Sequence, residues 1–325
     1  MRAATVIGAG VAGLCVATEL VARGCKVTVF DPSPRPGPQC CSWWAGGMLA
    51  PFCEGETAEE PVVRLGRQAA AWWQAQGVAV ARQGTLVLAL GRDRGEIDRF
   101  ARRTVGHEPL DSAAIARLEP QLGGRFDRGL HFPDEAHLDP RAALGHLRDR
   151  LEDAGVAFVA ERGRAAGLTF DCRGLAARDV LRDLRGVKGE MAVLRAPEIR
   201  LDRPVRLLHP RIPIYVVPRG DGLFMLGATQ IESDDRRPRV RSVLELLSAA
   251  YALHPAFAEA ELVEIGVDAR PAFPDNLPRL RRIGGTIHVN GLFRHGFLLA
   301  PALARMAVEA GCDGTIPEVM DADHG

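Results

Sequence analysis

The stretch TVIGAGVAGLCVATELVARGCKVTVFD, residues 5–31, decides the fold. Residues 3–7 read as a buried strand, residues 11–23 as a helix with small and apolar faces, and residues 26–30 as a second strand, so the chain opens with a βαβ unit. The turn from strand to helix is Gly8-Ala9-Gly10-Val11-Ala12-Gly13. Gly8 permits the tight turn, Gly10 lets the amides leading into Val11 and Ala12 approach a pyrophosphate, and Gly13 allows the helix to lie close on the strand. Phosphate charge would then sit at a helix N-terminus. Asp31 closes the second strand, where an acid can accept hydrogen bonds from a ribose diol. The context points to a bound dinucleotide rather than to a glycine-rich turn without a ligand. It admits FAD and NAD alike, because an aspartate serves either ribose.

Composition narrows the class. A chain of 325 residues can form one large or two intertwined domains, each with its own core. Lys and Arg together number 41, as do Asp and Glu, so no global field recruits a polyanion, and no local basic patch suggests nucleic acid. Lys26 and Lys188 are the only lysines, which lowers the weight of any single arginine. The cysteines at 15, 25, 40, 41, 53, 172 and 312 include no CxxC pair and read as reduced thiols. No uncharged run reaches the ~20 residues of a membrane helix and no charged leader precedes the first strand, so a cytoplasmic protein without membrane partners is expected.

Further along, residues 60–76 read as a helix with Trp72 and Trp73 toward a core, 85–90 as a strand and 94–103 as a charged helix. Residues 111–118 form a short helix capped by Asp111, and 129–132 a strand. Asp139-Pro140 reads as an N-cap and N1 proline opening a helix to about residue 154. Strands follow at 156–159 and 168–171. From 188 to 269 the pattern changes to strands at 190–194, 214–217, 224–227 and 262–267 with one helix at 243–253, which suggests an antiparallel sheet. A strand at 286–290 and a helix at 299–311 close the chain. The expected class is therefore α/β: a Rossmann-like unit (1–50, 129–187 and 274–325) intertwined with an antiparallel-sheet unit (51–128 and 188–273).

Several residues could carry chemistry. Tyr215, in RIPIYVVPRGDG (211–222), points to the sheet face opposite Ile214 and Val216, and reads equally as a half-buried strand tyrosine. Arg270 follows a strand and precedes prolines that would hold its guanidinium in place; a surface salt bridge is the competing reading. Arg294-His295-Gly296 could present amides and a cation at a helix N-terminus, or form an ordinary turn. His131, His137 and Asp139 show no HxH or HExxH spacing, and Asp139 already has a capping role, so no metal is expected. No GxSxG elbow occurs, and Ser233 to Arg237 reads as a solvated turn. CCSWWAGGMLAP, residues 40–51, is undecided on its own terms between a redox centre, a membrane-touching patch and a loop shaped for a flat ligand.

In order, VIGAGVAGL, SWWAGGMLAP, KGEM, IYVVPRGDG with LGAT, ARPAFPD and FRHGFLLAPAL resemble the flavin-dependent D-amino-acid oxidase superfamily, and within it the glycine oxidases of the thiamine pathway. The resemblance covers nearly the whole chain and implies non-covalent FAD beneath a flat sheet. It implies that Tyr215 and Arg270 hold the substrate carboxylate, with Arg294 as a further arginine at the site and Gln230 lining the pocket where the family usually has methionine. It places Cys41 and Ser42 near the pyrophosphate, Gly46, Gly47 and Met48 at the flavin ring, and the loop from Leu292 to Leu298, with Arg294, His295, Gly296, Phe297 and Leu298, along the pyrimidine. Val159 would meet the adenine, and Gly174 belongs to the Cys172-Arg-Gly turn on the cofactor side. Trp43 and Trp44 are expected to pack between domains, and neighbouring cysteines such as Cys40 and Cys41 rarely form a relaxed disulfide. Asn276 stands where glycine is usual, and the segment from 159 to 168 is short for the family.

The activity so implied is hydride transfer from glycine or another small amino acid to flavin N5, followed by reoxidation by molecular oxygen to hydrogen peroxide. The imine would give glyoxylate and ammonia, or pass to thiazole synthase; a homo-oligomer is compatible with the resemblance. Two alternatives stay open: a D-amino-acid or sarcosine-like dehydrogenase with a non-oxygen acceptor, and a non-catalytic FAD-binding module.

Overall fold

The βαβ opening forms as Ala3–Ile7, Val11–Ala22 and Lys26–Phe30. The computed structural model describes residues 2–33, 35–161, 163, 165–209 and 213–321; Arg211 and Ile212, which open the motif around Tyr215, lie outside the described residues. Ala3–Ile7 sits between Lys26–Phe30 and Leu168–Asp171, parallel to both. The full order is Arg279–Ile283, Thr286–Asn290, Leu168–Asp171, Ala3–Ile7, Lys26–Phe30, Ala157–Val159, and only the first strand runs antiparallel to its neighbour. Parallel strands are buried on both faces, and Val6, Val29 and Phe170 are each fully inside.

Helix Val11–Ala22 packs on Pro140–Asp153 and on the last helix, Gly296–Asp313. Asp139 caps the former by accepting from the amides of Arg141 and Ala142, as Asp139-Pro140 suggests. The last helix begins three residues before the expected 299 and contains Pro301. A proline there leaves the carbonyl of Phe297 without its helical donor. Trp73 Nε1 supplies the missing bond to that oxygen at 2.9 Å, and its ring stacks on Phe297.

The second sheet has nine strands. Its order is Ile231–Glu232, Arg185–Arg195, Leu223–Gly227, Ile214–Pro218, Val205–Leu208, Thr85–Ala89, Arg128–Phe132 and Glu108–Asp111, with Glu261–Ala272 also paired to Arg185–Arg195. It is antiparallel except where Val205–Leu208 meets Thr85–Ala89. Ile214 and Val216 join the core under helix Val240–Leu253, while Tyr215 and Val217 face the other way. Strand Arg128–Phe132 hydrogen-bonds within this sheet, so the crossing between the two units follows residue 132 in the pairing pattern, where the sequence suggested 129.

Three other differences have local causes. The helix expected over 60–76 is two, Glu60–Gly66 and Ala69–Ala75, and the break at Arg67 and Gln68 follows Gly66, which has low helix propensity and lies close to Leu298. Arg279–Ile283, RLRRI, looks too charged for a strand, yet its arginines are held by Asp275, Asp321, Asp183 and the carbonyl of Ala310. A small sheet of Met48–Leu49, Ala136–Leu138 and Val80–Ala81 has strands too short to show a period.

Candidate active site

One cavity of about 1410 Å³ runs between the two large sheets and is lined from both. At one end lies the glycine turn. Gly8 has φ +100°, and a Cβ there would stand 2.6 Å from the Cys172 carbonyl oxygen. A Cβ on Gly13 would lie 1.8 Å from the Gly8 oxygen, so helix and strand approach as the sequence requires; Gly13 itself packs behind the wall. Gly8, Gly10, Val11, Ala12, Asp31, Cys41, Ser42 and Gly174 all face the cavity. Asp31 accepts from the amides of Ala9 at 2.7 Å and Ser33 at 2.8 Å, which fixes its carboxylate at the wall. The Val11 amide is already taken by Ser42 Oγ at 3.1 Å, so Ser42 braces the turn. Val159 stands off the wall: its carbonyl accepts from the Asp31 amide, and Ala160 lines the cavity next to it.

The described residues hold no group of three or more His, Cys, Asp and Glu that could bind a metal, and the seven cysteines are free. Burial pushes the Cys41 thiol up, so it stays protonated. Trp44 lies against Gly266 of the large sheet and Arg141 of helix Pro140–Asp153 stacks on Trp43 and Trp44, so the pair packs between the two units.

Gly46, Gly47 and Met48 line the middle of the cavity. Beyond them the Tyr215 ring is held between two glycines: a Cβ on Gly46 or on Gly227 would come within 2.8 Å of it. Burial raises the phenol's pKa, which keeps it a neutral donor. Arg270 lies over Gly189, where a Cβ would be 2.1 Å from Nη2. Its Nη1 donates to the Thr229 carbonyl at 3.2 Å, and among the described residues no carboxylate pairs with it. Burial lowers its pKa, with the neighbouring phenol acting in the opposite sense, yet a guanidinium remains charged. The enclosure therefore holds an unneutralised planar cation beside a phenol, which suits a carboxylate.

Arg294 differs from Arg270. Its Nη2 is 2.7 Å from Glu54 Oε2 and 2.6 Å from Thr57 Oγ1, so its charge is already answered within the protein. Glu54, at the end of the one-turn helix Pro51–Glu54, also pairs with Arg206 at 2.6 Å and accepts from His295 Nε2 at 2.9 Å. Burial alone would raise the Glu54 carboxyl, but Arg294, Arg206 and the His295 bond together hold it well below the usual range. Burial lowers the His295 pKa, so it is a neutral ring whose Nε2–H donates to Glu54. Glu54 and Arg206 line the cavity and escape sequence reading. Glu54 lies just past the Gly46–Met48 turn, and Arg206 sits in a strand whose pattern is weak. Behind Glu54, Glu135 is fully buried, accepts from the Cys53 amide at 2.7 Å, and is pushed by burial up to about 7.

Gln230 lines the cavity but is exposed, at its mouth rather than its floor. Gly296, Phe297 and Leu298 bring the N-terminus of an 18-residue helix to the wall beside His295. Asn276 has φ +63°, and its side chain accepts from Arg185, which explains how asparagine serves where glycine is usual.

A glycine turn at one end of a cavity and an unneutralised guanidinium beside a phenol at the other, set between a parallel and an antiparallel sheet, are the arrangement of a nucleotide-cofactor oxidoreductase. The chain belongs to the family of FAD dependent oxidoreductases, whose pattern it matches over residues 4–310. It is 57% identical over 303 residues to a Rhizobium etli protein provisionally named thiamine biosynthesis oxidoreductase ThiO, covering 91% of this chain and 92% of that one. It is 28% identical to the bifunctional protein ThiO/ThiG of Trichormus variabilis, with 95% of this chain matching 52% of that longer protein. In three dimensions it resembles glycine oxidase from Bacillus cereus, with a TM-score of 0.84 at 20% identity over 99% of this chain and 100% of that one. No helix among the described residues is long and apolar enough to cross a membrane.

Proposed function

We propose that this protein is an FAD-dependent oxidase of glycine, or of another amino acid nearly as small, serving thiamine formation. The observation that carries the reading is Arg270: a half-buried guanidinium laid over Gly189, beside the Tyr215 phenol, with no carboxylate of its own among the described residues. The naming of the Rhizobium etli relative, similar along nearly its whole length, supports the thiamine context. The fused ThiO/ThiG relative supports hand-over of the product to thiazole synthase.

FAD fits the trough because Gly8 and Gly13 bring backbone where a side chain would collide, and Asp31 stands fixed at the wall. Gly8, Gly10, Ala12, Asp31, Cys41, Ser42 and Gly174 would hold its dinucleotide part, and Gly46, Gly47, Met48 and residues 295–298 its ring. Bound there, FAD would supply the acceptor for the hydride that leaves the substrate Cα, with molecular oxygen as the terminal oxidant, reduced to hydrogen peroxide.

The protein's own part is position and charge. Arg270 takes the substrate carboxylate through its planar fork, a charge-assisted contact of roughly 1.5–3 kcal/mol per hydrogen bond, and Tyr215 adds a donor. Anchored so, the Cα is presented toward the Gly46–Gly47 turn. Glu54 neutralises part of the charge of Arg206 and Arg294, which leaves Arg270 as the carboxylate's partner. His295 is neutral and donates to Glu54 through Nε2; the substrate amine must lose its proton before the hydride leaves.

The test is a visible spectrum of the purified protein followed by glycine addition under nitrogen. Bleaching by glycine, and less by sarcosine or D-alanine, is the expected result. A flavin that no small amino acid bleaches would mark a binding module, and bleaching with dye reduction but without peroxide would mark a dehydrogenase.

A further inference from the structure

Arg219 sits half-buried one residue beyond the strand Ile214–Pro218 that carries Tyr215, and it is bonded to backbone. It donates to three carbonyls: Leu138 at 2.7 Å, Gly46 at 2.7 Å and Ala45 at 3.4 Å. No carboxylate pairs with it among the described residues. A guanidinium enclosed without a counter-ion is costly and holds its acceptors strongly.

Ala45 and Gly46 belong to the turn that lines the middle of the cavity, and Leu138 to the strand Ala136–Leu138 beside it. The peptides joining Ala45 to Gly46 and Gly46 to Gly47 are trans, so each N–H points opposite to its own carbonyl. With the Ala45 and Gly46 oxygens drawn to Arg219, the amides of Gly46 and Gly47 face away from it. Neither finds an acceptor among the described residues, although a backbone donor inside a protein is almost always paired. The turn is closed from the other side as well. Gly47 accepts from the Leu138 amide at 2.9 Å, and a Cβ on Gly47, at φ +69°, would lie 2.2 Å from the Leu138 oxygen.

We propose that Arg219 is a positioning residue that aims the Gly46 and Gly47 amides at the heteroatom edge of the flavin ring. The pairing with Tyr215 gives this a second aspect. The two residues share one face of the chain, and Gly46 lies between them, its carbonyl on Arg219 and its Cα against the Tyr215 ring. One segment, 215–219, thus fixes the spacing between the ring-binding turn and the phenol of the substrate pocket. Burial pushes the Arg219 guanidinium down to about 10, which leaves it charged at neutral pH.

The inference rests on FAD as the cofactor but not on glycine as the substrate, so its test reads the cofactor without substrate. Arg219→Met and Arg219→Lys holoenzymes are compared with wild type for FAD release on dilution, the visible spectrum of the bound flavin, and sulfite binding to it. In Arg219→Met, with the amides no longer held, FAD affinity should fall ~10-fold or more and sulfite affinity should fall with it, while the spectrum changes shape. Arg219→Lys keeps the charge without the fork and should lie between. If Arg219→Met melts earlier yet keeps wild-type FAD affinity, spectrum and sulfite binding, the residue only supports the fold and the proposal fails. If Arg219→Met does not fold, an Arg219→Lys indistinguishable from wild type in all three readouts overturns the proposal equally. A wild-type chain that binds no FAD would sink the cofactor reading first and this one with it.

Discussion

At the Gly8–Gly13 end of the cavity, glycines bring backbone up to the ligand. At the Tyr215–Arg270 end, Gly46, Gly189 and Gly227 clear room for side chains that reach it. In the first case an added methyl meets backbone, the Gly8 oxygen or the Cys172 oxygen; in the second it meets the end of a tyrosine or an arginine. A clash with backbone has no cheap exit, whereas a guanidinium can swing aside. The same residue type therefore has two functions in one cavity, and substitutions at the two ends should separate cofactor retention from substrate binding.

The largest separation is expected from Arg270→Ala. The glycine KM should rise ~100-fold, the loss of two charge-assisted hydrogen bonds, while FAD content after purification stays at the wild-type level. An unchanged KM would remove Arg270 from the substrate pocket and leave the two ends without a functional distinction. Gly13→Ala and Gly189→Ala form the next pair. The first should cost roughly 3 kcal/mol of stability and strip the flavin, since its methyl would lie 1.8 Å from a carbonyl oxygen. The second should leave melting and flavin content close to wild type and raise the glycine KM ~10-fold as Arg270 is displaced. Equal flavin loss in both variants would collapse the distinction.

Glu135 tests the connection behind the two ends through pH. Its carboxyl rises from 4.5 to about 7 on folding, so the folded state holds the proton more tightly. That contribution is complete below pH 4.5 and is lost as pH rises through 7, up to roughly 3 kcal/mol. Melting curves of Glu135→Gln should therefore fall less between pH 5 and pH 8 than those of wild type; parallel curves would place the titration elsewhere. Gln230→Met should have the smallest effect. Exposed at the mouth, position 230 should change the relative rates with glycine, sarcosine and D-alanine by less than ~3-fold, and a tenfold switch in preference would put it on the pocket floor.

What could be read in the sequence follows the same division. The cofactor end is local: strand, turn, helix and acid lie within residues 5–31, and each glycine has a steric reason that periodicity and turn chemistry expose. The substrate end is assembled across the sheet. Tyr215 and Arg270 were nameable through family motifs, but nothing around Tyr215 showed that Gly46 would lie on its ring. Arg294 illustrates the limit, since its sequence neighbours give no sign of Glu54, which neutralises it from 240 positions away along the chain. The strand Arg279–Ile283 was hidden because its arginines find aspartates that only the fold brings near. Val159 ends its strand one position before Ala160, the residue that lines the wall.

The closing helix Gly296–Asp313 packs directly on Val11–Ala22, and Gly311 touches Phe170 of the first sheet. Thr286–Asn290 likewise pairs with Leu168–Asp171. The nucleotide-binding half is thus built from segments far apart in sequence, the glycine turn early and the helix that packs behind it late. A chain stopped before residue 296 would have its glycine turn but no cover on the helix behind it, so cofactor capture should wait on residues 296–313.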